Sequence, residues 1–269
     1  MIRLSLVIPT FNEEENIKIP LDSAYDLVDE IVIVDGGSVD KTVEIAKSYG
    51  DKISVHVVDN PLNFLINKER GIKLAKGEWI LQLDADERLS PELKDEIKKN
   101  IKEKKDLSKS VVSGYFIPRK NWFLDRFLMK GGVYPDAVLR LYKRDSAHFK
   151  LKDVHENVVV DGETAWTENA IEHYADPTFE RYLFRFNRYT TFDSEKLIAE
   201  NIKPCFPCYF VVKPLTTFIS IYLRHKGFMD GFAGFVWALF SSIRFWVIYI
   251  KARKGILPPE GVSLKKEYP

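Results

Sequence analysis

At 269 residues, 45% of them apolar, the chain is long enough for one large domain, or one domain with an appendage, and for a sizeable core. A formal net charge of +1 gives no global attraction for nucleic acid, so any anionic partner must be met by a local patch. Two cysteines, Cys205 and Cys208, make no disulfide framework. A reducing compartment is the default, and the C-x-x-C pair, with no second pair or histidine beside it, reads as two small apolar residues around Phe206-Pro207.

The N-terminus runs directly into the strand-like MIRLSLVIPT, without a basic n-region or cleavage site, so no signal peptide is expected. Leu4 to Ile8 reads as a buried strand stopped by Pro9, and a helix to about Leu27 follows, with Thr10 or Asn12 as its cap. Glu30 to Asp35 is a second, β-branched strand that ends in the turn Gly36-Gly37-Ser38. A helix capped by Asp40, a strand at Ser54–Val58 and a helix at Asn67–Ala75 come next. Trp79 to Leu83 is then a short buried strand. This alternation predicts a mainly parallel α/β sheet with helices on both faces, which binds ligands outside the carboxyl ends of its strands. Thr10, Asp35, Asp84 and Asp86 all fall at such ends.

The fourth strand runs into Asp84-Ala85-Asp86-Glu87, three acids in four residues. Such crowded charges repel unless a cation sits among them, and hard carboxylate oxygens suit Mg²⁺ or Mn²⁺. The plainer alternative is an acidic turn that caps the helix beginning at Ser90-Pro91. Beyond it lie a charged amphipathic helix to about Lys105, strands near 111–118 and 138–142, and a second acidic cluster with a histidine, Asp153-Val154-His155-Glu156.

From Thr178 the chain turns helical and aromatic. Phe206–Leu223 and Gly231–Ile250 are mostly apolar runs that approach the ~20 residues a bilayer span needs. Lys213, Pro214 and Arg244 interrupt them, and Arg224, Lys226, Lys251 and Lys254 flank them. Interfacial helices fit this pattern, with Phe235, Trp237 and Phe245 entering the lipid and the four basic residues meeting anionic headgroups. A buried helix pair and true spanning are the alternatives.

The segments LSLVIPTFNEEENI, EIVIVDGGSVDKTVEIA and NKERGIKLAKGEWILQLDADE, with the later acidic cluster, together resemble glycosyltransferase family 2. A narrower likeness is to the branch of lipopolysaccharide-core β-1,4-glucosyltransferases, carried by GGVYPDAVLRLYKR, VHE and KGFMDGFAGFVWALFSSIRFWVIYIK. The resemblance implies a GT-A (Rossmann-like) fold: a mixed, mainly parallel sheet flanked by helices, with a C-terminal helical membrane-associating extension. Residues 1–175 would be catalytic, with a nucleotide-sugar half to about 90 and an acceptor half after it, and residues 176–269 would be the helical region. Pro9, Thr10 and Glu13 would line base and ribose, and Asp35 would accept from the uracil N–H. Lys68 would meet the diphosphate, Asp84 the ribose or the metal's surroundings, and Asp86 the metal itself. Gly36 and Glu69 depart from the family pattern, as does the absence of an E-D pair for the base.

These residues together predict a metal-dependent inverting transferase that moves a sugar, glucose first, from a UDP-sugar to a glycolipid or oligosaccharide of the lipopolysaccharide-core kind. It would work as a peripheral enzyme on the cytoplasmic face of the cell membrane. Glu156 is the expected base, Asp153 the second choice, and His155 orients the base or joins the metal shell. A non-catalytic nucleotide-sugar-binding membrane scaffold and a nucleotidyltransferase are the rival readings. The latter usually wants a Gly-rich basic phosphate loop near the N-terminus, and none follows Ile8.

Overall fold

The computed structural model describes residues 3–59, 65–102, 112–149 and 158–256. In chain order the elements are β1 (Leu4–Thr10), α1 (Lys18–Ala24), β2 (Glu30–Asp35), α2 (Thr42–Lys47), β3 (Ile53–Val57), α3 (Leu65–Leu74), β4 (Trp79–Gln82), β5 (Glu87–Leu89) and α4 (Pro91–Lys102). Then come β6 (Val112–Ile117), β7 (Arg119–Phe123), β8 (Arg126–Leu128), β9 (Val138–Lys143), β10 (Ala147–His148), β11 (Val159–Val160), β12 (Glu163–Trp166) and β13 (Ile171–His173). The helices α5 (Phe179–Ala199), α6 (Lys213–Phe218) and α7 (Gly231–Lys254) follow, with π-helical turns on both sides of α6 that carry the helix from Cys208 to Arg224.

The chain divides into two compact units, which among described residues are 3–119 with 136–173, and 120–135 with 174–256. The first holds a seven-stranded sheet in the order β12-β6-β9-β4-β1-β2-β3. It is mixed and mainly parallel, as expected: β4, β1, β2 and β3 run parallel, and β9 is antiparallel to both β4 and β6. Side chains alternate across a strand, and here they fill two cores. Leu4, Leu6 and Ile8 of β1 join Ile31 and Ile33 of β2 against Ile17 and Leu21 near α1, Ala46 of α2, and Leu93 and Ile97 of α4. Val7, Val32, Val34 and Ile80 pack on the other face against Leu65, Ile72 and Ala75 at α3. Both faces are therefore covered, which the β-branched runs require.

Two local expectations change. The first helix is not capped by Thr10 or Asn12. It starts at Lys18 without a side-chain cap, and Asn12 (φ 55°) instead ties two loops, its Oδ1 accepting from Val39 N at 2.9 Å. The two cysteine sulfurs, expected as separate apolar groups, are bonded to each other across one turn.

The second unit is built on helices. Phe123 and Leu128 of the β7–β8 hairpin pack with Tyr182, Ala233 and Val236, and Trp237 lines the same cluster. Asp230, buried before α7, accepts from Lys130 N at 2.7 Å, and Arg126 Nη1 donates to its carbonyl at 2.9 Å. These contacts explain why residues 120–135 group with the C-terminal helices rather than with the sheet that surrounds them in sequence.

Candidate active site

Residues at the carboxyl ends of β1 and β2 form the first half of the site. Thr10 and Asp35 are paired across the two strands. Asp35 is wholly buried, and its Oδ1 accepts from Gly37 N (3.0 Å) and Ser38 N (2.8 Å). Its Oδ2 accepts from Thr10 Oγ1 (2.9 Å) and Ser38 Oγ (2.6 Å). Four donors match the roughly four lone-pair sites of a carboxylate, so Asp35 is the hub of the 36–38 turn. Gly37 sits at φ 83°, a conformation that favours glycine. Asn12 N donates to Ser38 Oγ at 2.8 Å and Glu13 N to Thr42 Oγ1 at 2.7 Å, which brings Pro9, Thr10, Glu13 and Asp35 to one end of the sheet.

The acidic turn forms the second half. Glu87 N donates to the Asp84 carbonyl at 3.1 Å, closing a tight turn through Ala85 and Asp86, and Asp84 N donates to Glu87 Oε2 at 2.9 Å. The turn delivers its carboxylates to different partners. Asp84 lies between Lys68 Nζ, 2.7 Å away, and Arg140 Nη2. Arg140 Nη2 also donates to Glu87 Oε1 at 2.8 Å, and Arg119 Nη1 to the same oxygen at 3.2 Å. Arg119 in turn holds Asp136, its Nε donating to Oδ2 at 3.0 Å. The Gln82 amide, oriented to satisfy its neighbours, accepts from Arg140 Nη1 (2.8 Å) and Lys68 Nζ (3.2 Å) and donates to the Tyr142 hydroxyl (2.8 Å).

Lys68, Gln82, Glu87 and Arg140 are buried, and the Asp84 side chain keeps 29% of its surface exposed. Burial by itself raises the Asp84 pKa, but the Arg140 and Lys68 charges outweigh it and hold the carboxyl well below the usual carboxylate range. Burial lowers the Lys68 pKa against the pull of Asp84. For Arg140, Asp84 and Glu87 more than offset burial and raise it. The expected repulsion around Asp84 and Glu87 is therefore relieved by the side-chain cations Lys68, Arg140 and Arg119.

Asp86 goes elsewhere. Its Oδ2 stands 3.4 Å from His173 Nε2 on β13, the strand whose His173 is registered opposite Glu87. Among the described residues no three His, Cys, Asp or Glu side chains gather as a ready metal cage. A carboxylate and an imidazole on one point are still a donor set that a divalent ion accepts when substrate phosphates complete its shell.

Of the residues singled out in the sequence, the structure pairs Lys68 with Asp84 and Thr10 with Asp35. Asp153, His155 and Glu156 lie outside the described residues. Arg140, Gln82, Glu87, Arg119 and His173 were missed as site residues. The available signal was a polar residue inside an apolar strand, Arg140 in VLRLY and Gln82 in WILQ, because buried charges are almost always paired.

Comparison with known proteins gives the family. Residues 5–160 match Glycosyl transferase family 2. An uncharacterized glycosyltransferase of Rickettsia bellii (strain RML369-C) is 29% identical over 254 residues, 90% of this chain and 84% of that protein. The lipopolysaccharide core biosynthesis glycosyltransferase LpsC of Rhizobium meliloti (strain 1021) is 23% identical, over 94% of this chain and 96% of its own. A crystal structure of S. aureus TarS in complex with UDP-GlcNAc aligns over 94% of this chain and 92% of that one, with TM-score 0.48 and 15% identity. The family match and the mixed α/β fold define a sugar-transferring enzyme. The chain belongs to glycosyl transferase family 2, and the scaffold and nucleotidyltransferase readings give way to it.

Proposed function

We propose that this enzyme moves a sugar, glucose first, from a UDP-sugar to a glycolipid or oligosaccharide of the lipopolysaccharide-core kind, with inversion, at a membrane surface. The observation that carries the donor half is the pairing of Lys68 and Arg140 around a half-open Asp84, beside Asp86 and His173. The acceptor class is supported by the full-length similarity to LpsC, whose name assigns it to lipopolysaccharide core biosynthesis.

Pro9, Thr10 and Glu13 line the base and ribose, on a turn that Asp35 holds in shape. An incoming diphosphate meets Lys68, whose ammonium can exchange Asp84 for phosphate oxygens without leaving its buried seat. Cations already in place at the leaving group cost little reorganisation as charge develops there. Asp86 and His173 are the residues that would hold Mg²⁺ or Mn²⁺, and such an ion supplies Lewis-acid stabilisation of the leaving diphosphate. The acceptor hydroxyl attacks C1 opposite the departing UDP and gives its proton to a carboxylate, Glu156 first and Asp153 second.

The membrane half rests on the second unit. Residues 227–254 are long and apolar enough to cross a membrane by length and composition. Yet Arg244 pairs with Asp193 of α5, and Lys251 Nζ lies among four acceptors for its three N–H groups, Asn187 O, Asn187 Oδ1, Thr190 Oγ1 and Thr191 Oγ1, at 2.6–2.8 Å. One face of α7 is therefore committed to a helix that carries Glu180, Arg181, Arg188 and Glu195, which favours lying on the bilayer over spanning it. Phe206, Val211, Leu215, Ile219, Phe232 and Trp246 are exposed and available to lipid.

The test is a thermal-shift screen of UDP-, GDP- and dTDP-sugars with and without Mn²⁺, followed by UDP release with a lipid-linked core acceptor. UDP-sugars with Mn²⁺ should give the largest shift, and preference for another nucleotide would overturn the donor assignment. In the same assay Glu156→Gln should keep donor affinity and lose ~10²–10⁴-fold in kcat. Equal losses in both would remove it as the base.

A further inference from the structure

The parallel pairing of β1 and β2 ends at Thr10↔Asp35, with Gly36 N donating to Thr10 O at 2.8 Å. Backbone groups beyond a strand end still need partners, and here they find side chains of the facing loop. Asn12 N donates to Ser38 Oγ (2.8 Å), and Val39 N donates back to Asn12 Oδ1 (2.9 Å). Two residues further on the exchange repeats: Glu14 N donates to Asp40 Oδ2 (3.0 Å), and Lys41 N to Glu14 Oε2 (2.9 Å). Between them Glu13 N donates to Thr42 Oγ1 at 2.7 Å. Asn12 and Glu14 are therefore teeth of a side-chain zipper that continues the strand pair into the loops before α1 and α2. The inner tooth is tied to the strand ends. Ser38 Oγ, which accepts from Asn12, donates to Asp35 Oδ2 at 2.6 Å, and Thr10 Oγ1 donates to the same oxygen. Asn12 holds its place with φ 55°, a left-handed conformation that asparagine adopts more readily than most residues.

We propose that Asn12 is a positioning residue for the donor: it fastens the loop after β2 to the loop after β1, so that the nucleotide meets two loops already in binding shape. The role rests on the donor-site reading above, in which Pro9, Thr10 and Glu13 line base and ribose. Residues 11–17 and 36–41 lie outside helix and strand, so their shape depends on the bonds between them. A loop that spends only a fraction of its time in the competent shape lowers apparent affinity by that fraction. Asn12 acts through Ser38 and Val39 rather than on the reacting atoms.

Two substitutions separate the side-chain hydrogen bond from the backbone that carries it. Asn12→Gly tolerates the left-handed conformation and loses the acceptor for Val39 N, whereas Asn12→Asp tolerates it and keeps an acceptor oxygen. In Asn12→Gly the UDP dissociation constant and the donor KM should rise about fivefold, the scale of one neutral hydrogen bond, with kcat at saturating UDP-sugar unchanged. Asn12→Asp should restore both constants. Hydrogen exchange followed by NMR gives a readout apart from activity. The Val39 amide should be protected in nucleotide-free wild type, exchange faster in Asn12→Gly and regain protection when UDP binds. Glu14→Ala, at an exposed residue, should act in the same direction on the Lys41 amide and on KM, which keeps the inference testable if Asn12→Gly does not fold. A Val39 amide that gains protection in wild type only when UDP binds would overturn the preformed shape. Equal UDP affinity in wild type and Asn12→Gly, or equal loss in Asn12→Gly and Asn12→Asp, would overturn the role of Asn12. In each of these cases the donor site stands. Wild-type protein that binds no UDP would overturn the donor site and this role together.

Discussion

Asp35 and Asp84 are both strand-end carboxylates, yet their surroundings give them different work. Asp35 accepts four hydrogen bonds, two from backbone N–H groups. Asp35→Asn keeps one acceptor oxygen and turns an NH₂ toward donors, so the 36–38 turn should loosen. Charge-assisted hydrogen bonds contribute about 1.5–3 kcal/mol each, so both the melting temperature and UDP affinity should fall. Unchanged values of both in that variant would remove Asp35 as the hub. Asp84 faces two cations and has a depressed pKa. A depressed carboxylate pKa contributes stability that is full above the unfolded-state value, about 3.9, and is lost as pH falls through the folded-state value. Urea titrations in EDTA should therefore show a constant stability gap between wild type and Asp84→Asn from pH 7 to pH 5. The gap should shrink only below about pH 4. A gap that closes between pH 7 and pH 5 would mean that Asp84 is not held by Lys68 and Arg140.

At the scale of elements, α3 matters because it carries Lys68 to the end of β4. It lies close on the sheet: a Cβ at Gly71 would collide with Val7 Cγ1 of β1 and come within 3.3 Å of Val34 Cγ2 of β2. Gly71→Ala should push α3 outward and cost about 1–3 kcal/mol, the usual range for overpacking. Lys68, one turn earlier on the same helix, should move with it, so donor KM should rise along with the loss of stability measured by thermal melting. A loss of stability without a change in KM would show that Lys68 reaches its partner independently of the helix. The same reasoning applies in the second unit, where Lys251 was expected to meet headgroups. It is buried against Asn187, Thr190 and Thr191 and ties α7 to α5. Trp237, expected in lipid, packs instead on Phe123 and Tyr182, with ring centroids 5.5 and 6.1 Å away.

For the whole molecule, these corrections change which residues can meet a membrane. The exposed basic residues that flank the apolar helices are Arg224, Lys226, Arg253 and Lys254, and Lys251 leaves the set. Each basic residue near an anionic surface contributes about 1 kcal/mol, attenuated by salt. Neutralising the four should move protein from anionic liposomes into the supernatant and slow transfer to a lipid acceptor. Hydrolysis of the UDP-sugar should change little, since the residues proposed to meet the nucleotide belong to the first unit. A four-fold variant that still pellets at moderate salt would exclude electrostatic docking.

The sequence by itself determined the α/β alternation, the strand ends that carry Thr10, Asp35 and Asp84, and the family, because hydrophobic period and local turn chemistry are properties of neighbouring residues. It also marked Asp86 as distinct from Asp84 by resemblance. Only the tertiary structure decided how the acidic turn is neutralised. Lys68 comes from α3, Arg140 from a bulged strand and His173 from β13, and these residues are brought together by sheet order and register, which no local pattern records. The same holds for the C-terminal helices. Composition made them apolar, but whether Lys251 and Trp237 face lipid or protein depends on which side of α7 meets α5 and the β7–β8 hairpin.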